Sequence, residues 1–234
     1  MRAVILAAGQ GTRLLPFTRD HPKCLVPVEG KAILDHQLDA LRANGIDEVF
    51  VVGGYCIGRL EQHLSQMPAR SRPGLILNPF WKVTNSIGSV WAARHELRRP
   101  FCLINGDTIV DAGLIGRAIA DMQSGVNLLV ERARMFAHDD MRVAVTAGRV
   151  RAVGKEIEAA GHRSLGLILA TDIGPHDYLD ALEAVIGADG GSQRFHHAVI
   201  DRLAAADEVA AIVTGSPLWI EIDRPEDIER WKRR

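Results

Sequence analysis

The segment Arg2-Ala3-Val4-Ile5-Leu6-Ala7-Ala8-Gly9-Gln10-Gly11-Thr12-Arg13 decides the fold, and Pro22-Lys23 follows it ten residues later. An apolar run that empties into a glycine-bearing turn reads as a buried strand feeding a phosphate-handling loop. The glycines let backbone N–H groups crowd an anion with no Cβ in the way. Arg13 and Lys23 add the positive charge that a triphosphate requires. Two commoner nucleotide motifs are disfavoured: Leu14 stands where a dinucleotide fingerprint carries its third glycine, and no Gly-Lys-Ser/Thr run is present here. The pattern predicts a nucleoside triphosphate site.

Outward from this turn, strand-like runs at 2–7, 48–53 and 101–105 alternate with helical patterns near 32–44, 56–66 and 84–97. That alternation predicts an α/β fold with a largely parallel sheet covered on both faces. From about residue 125 short strands at 126–130, 142–145 and 150–153 suggest an antiparallel insertion, followed by a helical pair near 175–205. Segments 208–213 and 218–222 read as closing strands. Pro225 sits at the first turn of a last helix, whose basic end Lys232-Arg233-Arg234 reads as solvated. We therefore expect a single domain over 1–234, with an acceptor-binding insertion at approximately 125–205.

With 234 residues, 47% of them hydrophobic, the chain can bury a sizeable core. A formal net charge of −1 argues against nucleic-acid or anionic-membrane partners. No stretch approaches the roughly 20 apolar residues of a membrane helix. Cys24, Cys56 and Cys102 are odd in number and widely spaced, which points to neither a disulfide frame nor zinc and makes a cytoplasmic setting the expectation. A homo-oligomer stays open.

Leu6-Ala7-Ala8-Gly9-Gln10-Gly11-Thr12-Arg13 followed by Pro22-Lys23-Cys24-Leu25-Val26-Pro27-Val28-Glu29-Gly30-Lys31 resembles the signature of the nucleotidyltransferases that activate sugar phosphates and phospho-alcohols. The resemblance implies a mixed, mostly parallel sheet in a Rossmann-like (GT-A-like) α/β fold. It also implies a glycine loop around the triphosphate and magnesium-assisted displacement of pyrophosphate. It assigns nucleotide contacts to Leu6, Ala8, Gly9, Gly11, Thr12, Arg13 and Lys23.

Asp107 follows the apolar strand Leu103-Ile104-Asn105 at the carboxyl edge of the sheet, where open α/β folds collect ligands, and is the leading magnesium ligand. Asp111 is better placed to cap the next helix. Magnesium takes oxygen from one or two carboxylates, so a second should come from elsewhere, and Trp219-Ile220-Glu221-Ile222-Asp223 supplies it. In an extended segment Glu221 and Asp223 share one face while Ile220 and Ile222 face the core. The resemblance matches Asp223 to the second metal ligand, so that Arg13, Lys23, Asp107 and Asp223 form the catalytic set.

The stretch Asn78-Pro79-Phe80-Trp81-Lys82-Val83-Thr84-Asn85-Ser86-Ile87-Gly88-Ser89 resembles the phosphocholine cytidylyltransferase branch. This implies CTP as nucleotide, phosphocholine as the favoured acceptor, and Asn85, Ser86 and Ser89 near the base and acceptor. The structural alternative has Thr84 capping the next helix. Lys155 matches a lysine that grips the acceptor phosphate in related enzymes. Trp219, Glu221, Trp81 and Phe195 are candidate walls for a quaternary ammonium. Arg194-Phe195-His196-His197 departs from the aromatic pair of phosphocholine-type relatives. The two histidines read as inert residues on a helix surface, with recognition of an aminoalkyl phosphonate or a polyol phosphate as the alternative.

The expected activity is a magnesium-dependent transfer of CMP from CTP to a small phosphorylated alcohol. The alternatives are 2-aminoethylphosphonate or a sugar-1-phosphate as acceptor, and, outside enzymes, a non-catalytic nucleotide-binding module.

Overall fold

The computed structural model describes residues 1–215 and 218–231. In its first half, β1 (Arg2–Ala7) enters the glycine turn, and a short ribbon of β2 (Pro27–Val28) and β3 (Lys31–Ala32) leads into α1 (Ile33–Arg42). β4 (Val49–Gly53), α2 (Ile57–Ser65), β5 (Gly74–Leu77) and α3 (Ser86–Ala92) follow. β6 (Phe101–Asn105), β7 (Thr108–Val110) and α4 (Ala112–Asp121) complete this half. The second half runs β8 (Gly125–Arg132), β9 (Arg142–Thr146), β10 (Arg149–Gly154), β11 (His162–Thr171), α5 (Gly174–Ile186), α6 (His197–Ala205), β12 (Val209–Thr214), β13 (Trp219–Glu221) and α7 (Pro225–Trp231).

Nine strands form one sheet in the order β5-β4-β1-β6-β11-β8-β12-β10-β9. The first four are parallel, as the alternation of strands and helices predicts. β11 then runs antiparallel to both β6 and β8, and β12 returns parallel to β8. The antiparallel β9–β10 pair closes the edge. Strands from the expected insertion are thus laid onto the same sheet as the nucleotide half. The sequence pattern does not announce β11, its longest strand, because Gly166 interrupts the apolar run.

Alternate residues of the central strands feed opposite faces. Ala3, Ile5, Ile104, Leu167 and Leu169 pack beneath Leu34, Leu38, Leu41 and Leu114. Val4, Leu103, Ile168 and Ala170 pack beneath Tyr178, Leu182, Val199 and Ile200 on the other side. A strand buried on both faces reads as a continuous apolar run, which is how β1 reads. A third cluster, Leu14, Val26, Val28, Ile33, Ile109, Ile220, Ile222 and Ile228, lies under a separate antiparallel ribbon of β7 and β13.

Asp111 caps α4 by accepting the Gly113 N–H at 2.8 Å. The cap of α3 is Asn85, whose side chain accepts the Ser86 N–H at 2.7 Å, rather than Thr84, which donates to the Phe80 carbonyl. The basic stretch Lys232-Arg233-Arg234 lies outside the described residues. Among those described, no helix is long and apolar enough to cross a membrane.

Candidate active site

The β7–β13 ribbon fixes the two aspartates. Glu221 pairs in register with Thr108, and the Ile222 N–H donates to the Asp107 carbonyl at 2.9 Å. Turning β13 over would expose Ile220 and Ile222, each worth roughly 1.5–3 kcal/mol of burial, and push two carboxylates into the third cluster. Gln37, fully buried on α1, donates to the Asn105 and Thr108 carbonyls at 2.6 and 2.7 Å and so pins the turn bearing Asp107. Gly106 lets that turn close on β1, because a Cβ there would lie 2.6 Å from the Leu6 carbonyl oxygen. At the other aspartate, Asp227 accepts the N–H groups of Asp223 and Arg224 at 3.0 and 2.8 Å, the returning half of a capping box with Pro225 at the first helical position.

Both carboxylates converge on one cation. Lys23 Nζ lies 2.7 Å from Asp107 Oδ2 and also bonds Asp223 Oδ1. Burial alone would pull the lysine pKa down, yet the Asp107 and Asp223 charges and hydrogen bonds hold it above its ordinary value. Arg13 donates to Asp223 at 2.9 Å and also pairs with Asp139, from the loop between β8 and β9. Gly11 takes a left-handed backbone, φ 70°, and a Cβ there would meet the Lys23 side chain at 2.8 Å, so this position needs glycine twice over. Burial first, then the neighbouring Asp107 and Asp223 charges, push the Glu221 carboxyl up to about 8, against the opposing pull of Lys23.

These groups open into a cavity of about 520 Å³. Leu6, Ala8, Gly9, Arg13, Asn85, Ser86, Ser89 and Asp107 line it, as do Lys155, Glu221 and Asp223. Lys23 sits beneath the aspartates. Gly11 shapes the turn without lining the cavity, and Thr12 is exposed outside it. Ser89 accepts from Asn78 at 3.1 Å and is buried.

Trp219 is not brought to this cavity. Its indole N–H donates to Glu131 at 2.7 Å and the Arg163 guanidinium lies 5.0 Å from its ring centroid, in a smaller adjoining pocket that shares Asp139, Glu221 and Asp223 with the cavity. Two residues of extended chain span roughly 6–7 Å, enough to carry the tryptophan past the site although it shares a face with Glu221.

The histidines also depart from expectation. His196 and His197 are 2% and 5% exposed and line the cavity, so they are not inert surface residues. Burial pulls His196 down to about 4, and burial together with His196 holds His197 well below the ordinary histidine value, so both rings are neutral near pH 7. Ser164 and Asp139 join the site without a sequence signal. Ser164 is aimed by an irregularity in the β11–β8 register between Ser164 and Ile168, the kind of bulge that redirects a side chain. Asp139 reaches Arg13 across a long separation in the chain.

Among proteins of known activity, the chain is 38% identical over 94 residues to a CTP:phosphoglutamine cytidylyltransferase of Campylobacter jejuni, covering 40% of this chain and 36% of that protein. It is 28% identical over 97% of its length to a CMP-5'-(3-aminopropyl)phosphonate synthase of Streptomyces rubellomurinus, covering 37% of that protein. The chain thus spans little more than a third of the length of these two relatives. The CTP:phosphocholine cytidylyltransferase of Streptococcus pneumoniae superposes with a TM-score of 0.81 over 99% of this chain and 97% of that one, at 18% identity, a likeness of fold. It agrees with the mixed α/β sheet seen here. Residues 3–203 match the family model of the MobA-like NTP transferase domain, and with that match over most of its length the chain belongs to this family.

Proposed function

We propose that the protein is a cytidylyltransferase that transfers CMP from CTP to a small phosphorylated acceptor and releases pyrophosphate. One observation carries the reading: Lys23 bridges Asp107 and Asp223, Arg13 bonds Asp223, and Arg13 and both aspartates line a cavity of about 520 Å³ beside the glycine turn. The relatives named above for CTP and CMP chemistry support cytidine as the base. Their acceptors differ at the organic end, so the phosphoryl or phosphonyl group is the shared chemistry. Phosphocholine is the acceptor the sequence resemblance favours, with 2-aminoethylphosphonate and a sugar-1-phosphate as alternatives.

The residues present fit Mg²⁺. Asp107 and Asp223 offer hard carboxylate oxygens that already share one positive charge, the Lys23 ammonium. No group of three or more His, Cys, Asp or Glu arranged to hold a metal occurs among the described residues, so the remaining ligands of such an ion would be phosphate oxygens and water. When bound, the ion would neutralise phosphate charge and help to orient the reacting groups.

The chain's own groups position and neutralise. Backbone N–H groups of the glycine turn receive the triphosphate, and Arg13 and Lys23 stabilise charge on the departing pyrophosphate. Arg13 exchanges its Asp139 partner for phosphate. Asn85, Ser86 and Ser89 lie near the base and the acceptor. Lys155 holds the acceptor phosphate in line, and Glu221 contacts the same substrate. An acceptor oxygen forms a bond to the α-phosphorus while the bond from that phosphorus to the bridging oxygen breaks, its electron pair leaving with pyrophosphate. The acceptor phosphate is anionic near neutral pH, since its second pKa is about 6, and no general base is demanded.

Purified protein incubated with Mg²⁺, each of the four nucleoside triphosphates and a series of phosphorylated acceptors tests this. Pyrophosphate release is expected with CTP. Release only with another nucleotide would reject the base assignment.

A further inference from the structure

The hydrogen bonds of the cavity wall formed by the second half of the chain say what kind of group it receives. His196 and His197 stand at the start of α6 with ring centroids 4.2 Å apart. Ser86 Oγ accepts the His196 backbone N–H at 2.9 Å and lies 3.1 Å from His196 Nδ1. Ser164 Oγ accepts the Gly166 N–H at 3.0 Å and lies 3.0 Å from His197 Nε2. With each serine hydrogen assigned to the ring nitrogen it faces, the one proton of each neutral imidazole sits on Nε2 of His196 and Nδ1 of His197. Those two buried ring nitrogens are the ones that have no hydrogen-bond partner.

An orphaned buried donor is costly to a fold, and two of them in adjacent rings that line a cavity point to a ligand that completes them. On the same wall the Phe195 ring already has a cation. Lys155 Nζ already lies 4.5 Å from the Phe195 ring centroid, on the face that a quaternary ammonium would need. Asp139, the carboxylate of the nearby loop, is engaged by Arg13.

Resting on the cytidylyltransferase reading, we infer that this wall selects an acceptor whose organic end carries hydrogen-bond-accepting oxygens, hydroxyl or carboxylate, and discriminates against a quaternary ammonium. His196 and His197 are specificity residues, and Ser86 and Ser164 position them.

The experiment compares phosphocholine, phosphoethanolamine, glycerol 3-phosphate and 3-phosphoglycerate as acceptors with CTP and Mg²⁺. At least one of the two oxygen-rich acceptors is expected to exceed phosphocholine in kcat/KM by about tenfold or more. Equal or better turnover of phosphocholine overturns the inference and leaves the activity reading standing. Should none of these four release pyrophosphate, acceptor binding decides the inference. Thermal stabilisation by 3-phosphoglycerate and not by phosphocholine upholds it; any other pattern overturns it. In an active enzyme, His197→Phe keeps the ring's bulk and removes its donor. It should raise the KM of the favoured acceptor about tenfold at constant KM for CTP, and His197→Asn should recover part of the loss. An unchanged acceptor KM, or an equal rise in both KM values, overturns the role given to His197.

Discussion

Along the glycine-turn side of the cavity, Lys23 bridges Asp107 and Asp223, and each carboxylate is placed by backbone: the β7–β13 register, the Gly106 turn, the Asp227 cap. Along the acceptor wall two neutral imidazoles are held by two serines, and Lys155 over Phe195 is the cation beside them. The charged side is set where it will act whatever the acceptor, because moving either aspartate means breaking strand pairing. The neutral side depends on side-chain hydrogen bonds between separate segments, which substitution can rewire without disturbing the sheet. One cavity thus combines a fixed phosphate chemistry with a changeable reading of the acceptor.

The sharpest way to break this contrast is to remove the charged side. Asp107→Ala or Asp223→Ala should each lower kcat by at least about a hundredfold, followed by pyrophosphate release, with circular dichroism confirming the fold. Unchanged turnover in both would reject Asp107 and Asp223 as the metal-holding pair. Gly11→Ala should come next. It forces a Cβ against Lys23 at a left-handed backbone position, and an increase of about tenfold in the KM for CTP is expected, at a cost of about 1–2 kcal/mol.

The neutral side should show itself through pH. His196 is held near 4 in the folded chain against an ordinary 6.5, so the unfolded chain takes up the proton first. The His196 contribution to stability is then full above about pH 6.5 and declines as pH falls toward about 4, by about 1 kcal/mol per pH unit, with His197 acting in the same direction and Glu221, whose raised carboxyl loses its proton as pH climbs toward about 8, acting in the opposite one. Urea unfolding of the wild type and of His196→Phe between pH 4.5 and 7.5 isolates this share as the difference between the two slopes. An equal slope in the variant would remove His196 as its source. The smallest effect is expected at Trp219, which the structure places outside the cavity: Trp219→Phe should change the acceptor KM by less than about twofold, whereas a rise of tenfold would return it to the acceptor wall.

The contrast also explains how far the sequence could be read. Gly9-Gln10-Gly11-Thr12-Arg13, Asn105-Gly106-Asp107 and Glu221-Ile222-Asp223 are each local: a strand end, a turn or a period-two alternation states where the side chain goes, and the structure brings their ends together. The parallel half of the sheet was legible for the same reason. Ser164 with His197, and Arg13 with Asp139, are pairs between distant segments whose meeting no local pattern encodes. Ser164 is aimed by a shift in strand register, and β11 itself is hidden behind Gly166. Trp219 shows the limit of alternation, which fixes the face of a residue and not how far along the strand the cavity extends.

A double-mutant cycle on kcat with Asp107→Asn, Asp223→Asn and the combined variant tests most directly whether the two distant carboxylates act as one unit beside the glycine turn. The account predicts non-additive losses, the double variant falling within about threefold of the slower single variant. Losses that multiply would mean that the two aspartates act independently, and would contradict it.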